Sequence, residues 1–214
     1  MKFPLVCLLA LVFAVSTVNA GSGGVDSDYG RSHPDGLTIP WRSLLQGKGL
    51  EGWRAAASSG GWSRDGDAIV GQLDGKRKSH LFQGDSGWKN YEVSLFVTLE
   101  KGSCMQFPFR VTDDRKGFYF VEFDYAWQTM NVTLREPGIH GVTKLSVVNY
   151  ALEKGREYHL IISARHRSLT TYIDGKLVNQ VTDARYDEGG IGIAMWWDTR
   201  ATYRDPKIRH YRWP

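Results

Sequence analysis

Two carboxylates stand two residues apart in the run Phe118-Tyr119-Phe120-Val121-Glu122-Phe123-Asp124-Tyr125. The run is aromatic and β-branched, so it reads as a strand. On a strand, residues i and i+2 project to one side, about 7 Å apart. Glycoside cleavage uses two carboxyl groups, one as acid and one as base or nucleophile, flanking the scissile bond. Period-two alternation in the neighbouring runs places Arg110, Asn131 and Arg135 on the same polar side. The candidate catalytic set is therefore Glu122, Asp124 and Arg110. The competing reading is an ion-pair network on an exposed sheet face, with no catalysis.

Aromatic residues extend the candidate site. The chain carries eight Trp and ten Tyr, more rings than a core of this size needs. An indole stacks well on the C–H face of a sugar. Trp127 follows the Glu-x-Asp strand, and Trp196 and Trp197 are adjacent, so a strand would point them to opposite faces. Trp127, Asn131, Arg135, His140 and Trp196 are the candidate substrate-binding residues. His140 lies in the loop Gly138-Ile139-His140-Gly141, where a lone His is usually just solvated. No His-x-His or His-x-x-Glu spacing occurs. Asp113-Asp114 and Asp65-Gly66-Asp67 offer oxygen ligands, but both are turn chemistry first. The sequence predicts no cofactor and leaves a divalent metal open. Cys104 reads as a small buried hydrophobe, because no His neighbours it in sequence. Asn131-Val132-Thr133 is an N-glycosylation sequon by pattern alone.

The elements that must hold these residues are strands. Tyr91, Val93, Leu95, Val97 and Leu99 alternate with polar neighbours, as do Phe107, Phe109 and Val111, then Val132 and Leu134, then Tyr158, Leu160 and Ile162, and then Ile191, Ile193, Met195 and Trp197. Asp65-Gly66, Lys101-Gly102, Pro137-Gly138, Asp174-Gly175 and Gly189-Gly190 separate the runs as turns. In TTYIDGKLVNQ, two apolar–polar runs meet at Asp174-Gly175, the signature of a type I′ hairpin. The only helix-like stretches are short ones near Ser43–Leu45 and Arg54–Ala57. Many short strands with regular turns predict an all-β sandwich or jelly roll.

Residues 1–20, MKFPLVCLLALVFAVSTVNA, have a basic start, an apolar middle and a small-x-small end, and read as a signal peptide cut after Ala20. Residues 21–38 read as a flexible lead-in and 39–214 as one domain. The expected location is secreted or periplasmic. No run is long enough to predict a membrane span. The formal charge of +4 is interspersed, with no basic stripe for nucleic acid. Lys76-Arg77-Lys78 reads as a surface loop, and the basic segment from Arg204 to Arg212 as an edge strand guarded by charge.

The order of the pieces carries a resemblance. Leu44-Leu45-Gln46-Gly47-Lys48-Gly49-Leu50-Glu51-Gly52-Trp53 resembles the opening LFNGKDLxGW of the 3-keto-disaccharide hydrolase domain family. Gly61 to Gly71 is similar to its WxVxDGxIVG, Asn90-Tyr91-Glu92-Val93 to dFELxxEF, the 174–175 hairpin to xxxxNGxxV, and Gly190-Ile191-Gly192-Ile193 to GxIGL. Tyr203-Arg204-Asp205-Pro206-Lys207-Ile208 resembles the closing FRNIxI. The likeness spans residues 41–211. Where the family has NSGIFFR, this chain has Cys104-Met105-Gln106-Phe107-Pro108-Phe109-Arg110, keeping the Arg and losing the Asn-Ser-Gly. The resemblance implies a concanavalin A-like jelly-roll sandwich of two antiparallel sheets, with a concave face for a saccharide. It also implies cleavage of 3-keto glycosides. A ketone acidifies the adjacent C–H, so elimination of the aglycone needs one base and a stabiliser for the enolate. Glu122 or Asp124 would be the base and Arg110 the stabiliser. The partner expected is a saccharide or glycoside. The alternatives are a non-catalytic, lectin-like carbohydrate-binding module and a laminin-G-like adhesion domain.

Overall fold

The computed structural model describes residues 40–56, 60–75 and 77–211. The expected signal peptide and lead-in fall outside them. Fifteen strands and no helix make up the described chain: β1 (Arg42–Ser43), β2 (Arg54–Ala55), β3 (Trp62–Asp65), β4 (Ala68–Leu73), β5 (Lys78–Gln83), β6 (Tyr91–Lys101), β7 (Cys104–Val111), β8 (Phe118–Asp124), β9 (Thr129–Arg135), β10 (Thr143–Asn149), β11 (Glu157–Arg165), β12 (Ser168–Ile173), β13 (Lys176–Thr182), β14 (Gly190–Trp196) and β15 (Thr199–His210). The two helix-like stretches near Ser43 and Arg54 are thus the short strands β1 and β2.

The strands form two antiparallel sheets. The first runs β13-β12-β11-β6-β15-β4-β3, with β1 on the end of β15, and the second runs β10-β9-β8-β7-β14-β5-β2. The chain passes back and forth between the sheets, as a jelly roll requires. The long strands turn one apolar set inward. Val93, Leu95, Val97 and Leu99 of β6 face Met105 and Phe107 of β7, Val121 and Phe123 of β8, and Met130 and Val132 of β9 in one core. The basic C-terminal segment is not an edge. β15 lies between β6 and β4, and its outward charges are paired instead: Arg204 with Glu157 and Arg209 with Glu92.

The 174–175 hairpin forms as the Asp-Gly pair predicts. Asp174 and Gly175 both have positive φ, 51° and 77°. Asp174 stabilises the turn further, accepting the His159 N–H at 2.9 Å and pairing with Arg156 at 2.9 Å. A Cβ added at Gly175 would meet nothing within 4 Å, so a substitution there costs backbone strain alone. Gly175→Val is expected to lower stability by about 1 kcal/mol in urea unfolding. Ligand binding should be retained, because the turn joins strands of the first sheet, away from the candidate site. Lost binding at unchanged stability would assign the turn a different role.

Candidate functional site

The second sheet has one face in the core and one facing out. Its register aligns a polar row across the outward face. His80 of β5 pairs with Ala194 of β14, Ala194 with Gln106 of β7, Gln106 with Glu122 of β8, and Glu122 with Asn131 of β9. The side chains along this row are hydrogen-bonded in series. The Trp196 indole N–H donates to Gln106 Oε1 at 2.8 Å. Gln106 Nε2 donates to Glu122 Oε1 at 2.8 Å, and Asn131 Nδ2 donates to Glu122 Oε2 at 3.0 Å. Glu122 is half-buried, its two oxygens each fixed by an amide, while Gln106 and Asn131 are buried beneath the surface. A carboxylate held this way is oriented without a cation beside it.

The two carboxylates differ in employment. Asp124 Oδ1 accepts the backbone N–H groups of Ala126 and Trp127, each at 3.1 Å. That is an Asx-type cap of the 125–128 turn. Side-chain periodicity does place Glu122 and Asp124 on one face, but only Glu122 is presented to it by side-chain donors.

Arg110 is not on this face. Val111 pairs with Gly190 and Phe109 with Ile191, so Arg110 is an extra residue, a β-bulge with φ of 50°. A bulge reverses the alternation beyond it. Phe109 enters the main core, whereas Val111 joins Phe82, Phe118 and Phe120 in a separate outward cluster. The Arg110 side chain turns inward and is fully buried. The Arg110 backbone N–H donates to Tyr91 Oη at 2.7 Å, and the side-chain Nη1 donates to the Tyr186 carbonyl at 2.8 Å. Burial lowers the guanidinium's pKa, and the nearby Tyr91, Tyr119 and Asp187 act in the opposite direction. The expected grouping of Arg110 with Asn131 and Arg135 is therefore corrected. Asn131 and Arg135 share the face of Glu122, and Arg110 braces the 183–189 segment behind it.

The aromatic candidates sit at one end of the face. Trp196 lies on it, half-buried, with Lys78 Nζ 3.9 Å above its ring. The strand ends there, and Trp197 enters a turn with φ of 45°, so it does not take the core position that alternation predicts. Trp127 is 79% exposed in the turn after β8, at the same end. His140 is exposed in the β9–β10 connection and stands outside the hydrogen-bonded row that holds Glu122. The Asn131 sequon lies within β9 with its amide committed to Glu122, so it is closed to glycosylation.

Cys104 is a free, half-buried thiol. Burial, with Glu122 and Asp124 nearby, pushes its thiol up to about 12. The turn after β7 is equally occupied: Asp114 Oδ1 accepts from Thr112 Oγ1 and the Lys116 N–H. Among the described residues no cluster of three His, Cys, Asp or Glu side chains converges to hold a metal. Sequence reasoning misses Gln106, Lys78 and His80. Alternation puts Gln106 on the correct face, but only the cross-strand register shows that it links Trp196 to Glu122.

Residues 40–209 match the 3-keto-α-glucoside-1,2-lyase-like domain. The chain belongs to this family. A levanase of Bacillus subtilis (strain 168) is 23% identical over 189 residues, covering 87% of this chain and 26% of the levanase. The chain thus spans about a quarter of that relative's length. Among solved structures, the carbohydrate binding module CBM66 from Bacillus subtilis superposes with a TM-score of 0.65 at 20% identity, covering 74% of this chain and 95% of the module. The exoplasmic/lumenal domain of VIP36 in a Ca2+/Man-bound form gives 0.60 at 11% identity, over 76% and 84% of the two chains. A putative glycosyl hydrolase from Parabacteroides distasonis gives 0.54 at 17%, over 80% and 100%. At these identities the likenesses establish the fold, a concanavalin A-like jelly roll.

Proposed function

We propose that the outward face of the second sheet binds a saccharide, and that on a 3-keto glycoside Glu122 serves as the single base of a 1,2-elimination. The observation that carries this reading is the inequality of the two carboxylates. Hydrolysis by an acid and a partner carboxylate requires two free groups flanking the bond. Here Asp124 is spent on a turn, and one oriented carboxylate remains. Elimination needs only one. Glu122 takes the C2 proton made acidic by the C3 ketone, and the electron pair passes into the enolate. The enolate then expels the C1 oxygen of the aglycone, leaving a C1–C2 double bond, and the departing oxygen takes up a proton. Positive side chains on the same face favour the enolate. Membership of the 3-keto-α-glucoside-1,2-lyase-like family supports the same chemistry.

A second reading, a binding module without turnover, is favoured by Trp127 and Trp197, two exposed indoles at the Trp196 end of the face. The fold likeness to a carbohydrate binding module points the same way. The deciding assay incubates the full-length protein with a 3-keto-α-disaccharide and with its unoxidised parent. Release of aglycone from the keto sugar alone supports elimination. Binding of either sugar without turnover selects the module. The N-terminal pattern of residues 1–20 leads us to infer export as well, which would bring the domain to extracellular or periplasmic glycosides.

A further inference from the structure

A hollow of about 160 Å³ opens at the far end of the second sheet from Trp196. Gly190, which lines it, and Trp196 are the two ends of β14, about 20 Å apart. Arg54, Phe82, Val111, Asp113 and Arg115 also line it. The strand order explains the hollow. β7, β14, β5 and β2 lie side by side. On β14, Gly190 pairs with Val111 of β7, and Gly192 pairs with Phe82 of β5. Neither glycine puts a side chain on the outward face, so β14 forms a trough between its neighbours. A Cβ at Gly192 would come within 2.7 Å of the Phe82 ring.

Two guanidinium groups line the hollow from opposite sides. Arg54 of β2 pairs with Phe82, and directly opposed residues share a face, so Arg54 rises beyond β5. Arg115 comes from the turn after β7. Its guanidinium carbon lies 5.6 Å from the centre of the Phe82 ring, so the half-buried side chain reaches across β14. The turn is built to hold it there. Arg115 has φ of 56°, and its N–H donates to the Thr112 carbonyl at 2.8 Å. Thr112 Oγ1 accepts the Gly117 N–H at 3.1 Å and donates to Asp114 at 2.7 Å. Neither arginine has a carboxylate partner among the described residues. Other surface cations share that property; these two are set apart by lining one hollow. Asp113 stands exposed on its rim.

We propose that this hollow is a second binding site, for a hexuronate: a sugar ring that carries a carboxylate. Each guanidinium presents a fork of N–H donors that fits a carboxylate, so the anion is received between Arg54 and Arg115. The lining carries two positive side chains and one negative one. A bare inorganic anion gains from the arginines but is repelled by Asp113. A uronate turns Asp113 to use, because a ring hydroxyl donates to that carboxylate. The site goes beyond the Glu122 reading and does not depend on it.

Calorimetric titrations of the full-length protein with sodium galacturonate, methyl galactoside and sodium sulfate test this at about 0.15 M salt. Charge-assisted contacts predict that galacturonate binds about tenfold or more tightly than methyl galactoside. Arg54→Gln should remove most of that preference. So should Arg115→Lys, which keeps the charge and loses the fork. Arg54 is exposed on a two-residue strand, so its variant tests the site even where a change at Arg115 disturbs the turn. Lys116→Gln removes a charge from the same turn without touching the lining, and should keep the preference. Asp113→Asn should lower the ratio of galacturonate affinity to sulfate affinity. Equal affinity for galacturonate and methyl galactoside, or no binding of either, would overturn the proposal. So would an undiminished preference in Arg54→Gln, or an equal loss in Lys116→Gln, which would assign it to overall charge. A ratio unmoved by Asp113→Asn would overturn it too, leaving a site for any oxyanion. Turnover of a neutral 3-keto glycoside reads Glu122 alone, so each of these results leaves that reading where it stands.

Discussion

Glu122→Gln is expected to lower turnover of a 3-keto glycoside by about 10²-fold or more while leaving the fold intact. The variant keeps shape and removes basicity. It also fits the hydrogen bonds around it. Glu122 accepts from two amides, so a Gln there must turn its own N–H₂ toward one of them. Asn131 can accommodate this, because its Oδ1 is buried without a partner. A flip of the Asn131 amide presents that oxygen to the new donor. Asp124→Asn, by contrast, is expected to stay within about threefold of the wild type, since an Asn carbonyl caps the 125–128 turn as an Asp carboxylate does. Steady-state rates for the two variants check both halves. A large loss in Asp124→Asn beside a small one in Glu122→Gln would exchange the roles of the two carboxylates.

A large loss of stability is expected from Gly189→Ala. Gly189 stands at φ of 137° where the 183–189 segment meets the Arg110 bulge. A Cβ there would lie 2.4 Å from the Arg110 carbonyl carbon and 2.5 Å from the Val111 oxygen. Both are backbone atoms of β7 and cannot swing aside as a side-chain end would. Backbone strain and the clash together should cost about 3 kcal/mol or more. For a domain of this size that lowers the melting temperature by about 10 °C. Gly66→Ala is the control: its φ is 59°, but a Cβ there meets nothing within 4 Å, so it should cost only about 1 kcal/mol. Calorimetric midpoints that moved equally in the two variants would contradict close packing as the cause.

The strands were legible because their signal is local. Alternation in Tyr91–Leu99 or Met130–Leu134 fixes which side chains meet the core, and Asp174-Gly175 fixes a turn by its own dihedral needs. The common face of Glu122 and Asp124 follows from the same rule. Arg110 was not legible. Its side depends on a bulge created by the pairing of β7 with β14, and a single inserted residue exchanges the faces beyond it. The β15 segment misled for a related reason. Its charges suited an edge, but their partners Glu157 and Glu92 come from strands distant in sequence. The employment of Asp124 and the link through Gln106 were hidden because both depend on hydrogen bonds to groups outside the motif itself.

The central claim, that a saccharide sits on the outward face of the second sheet, is tested most directly by the indole N–H resonances of the protein during titration with a 3-keto-α-glucoside. The Trp196 resonance is expected to shift, because its N–H feeds Gln106 and thereby Glu122. The Trp53 resonance should stay in place, since that N–H is buried and donates to the Leu44 carbonyl at 3.0 Å on the core side. A saturable shift at Trp53 with Trp196 unmoved would place the sugar elsewhere and contradict the claim.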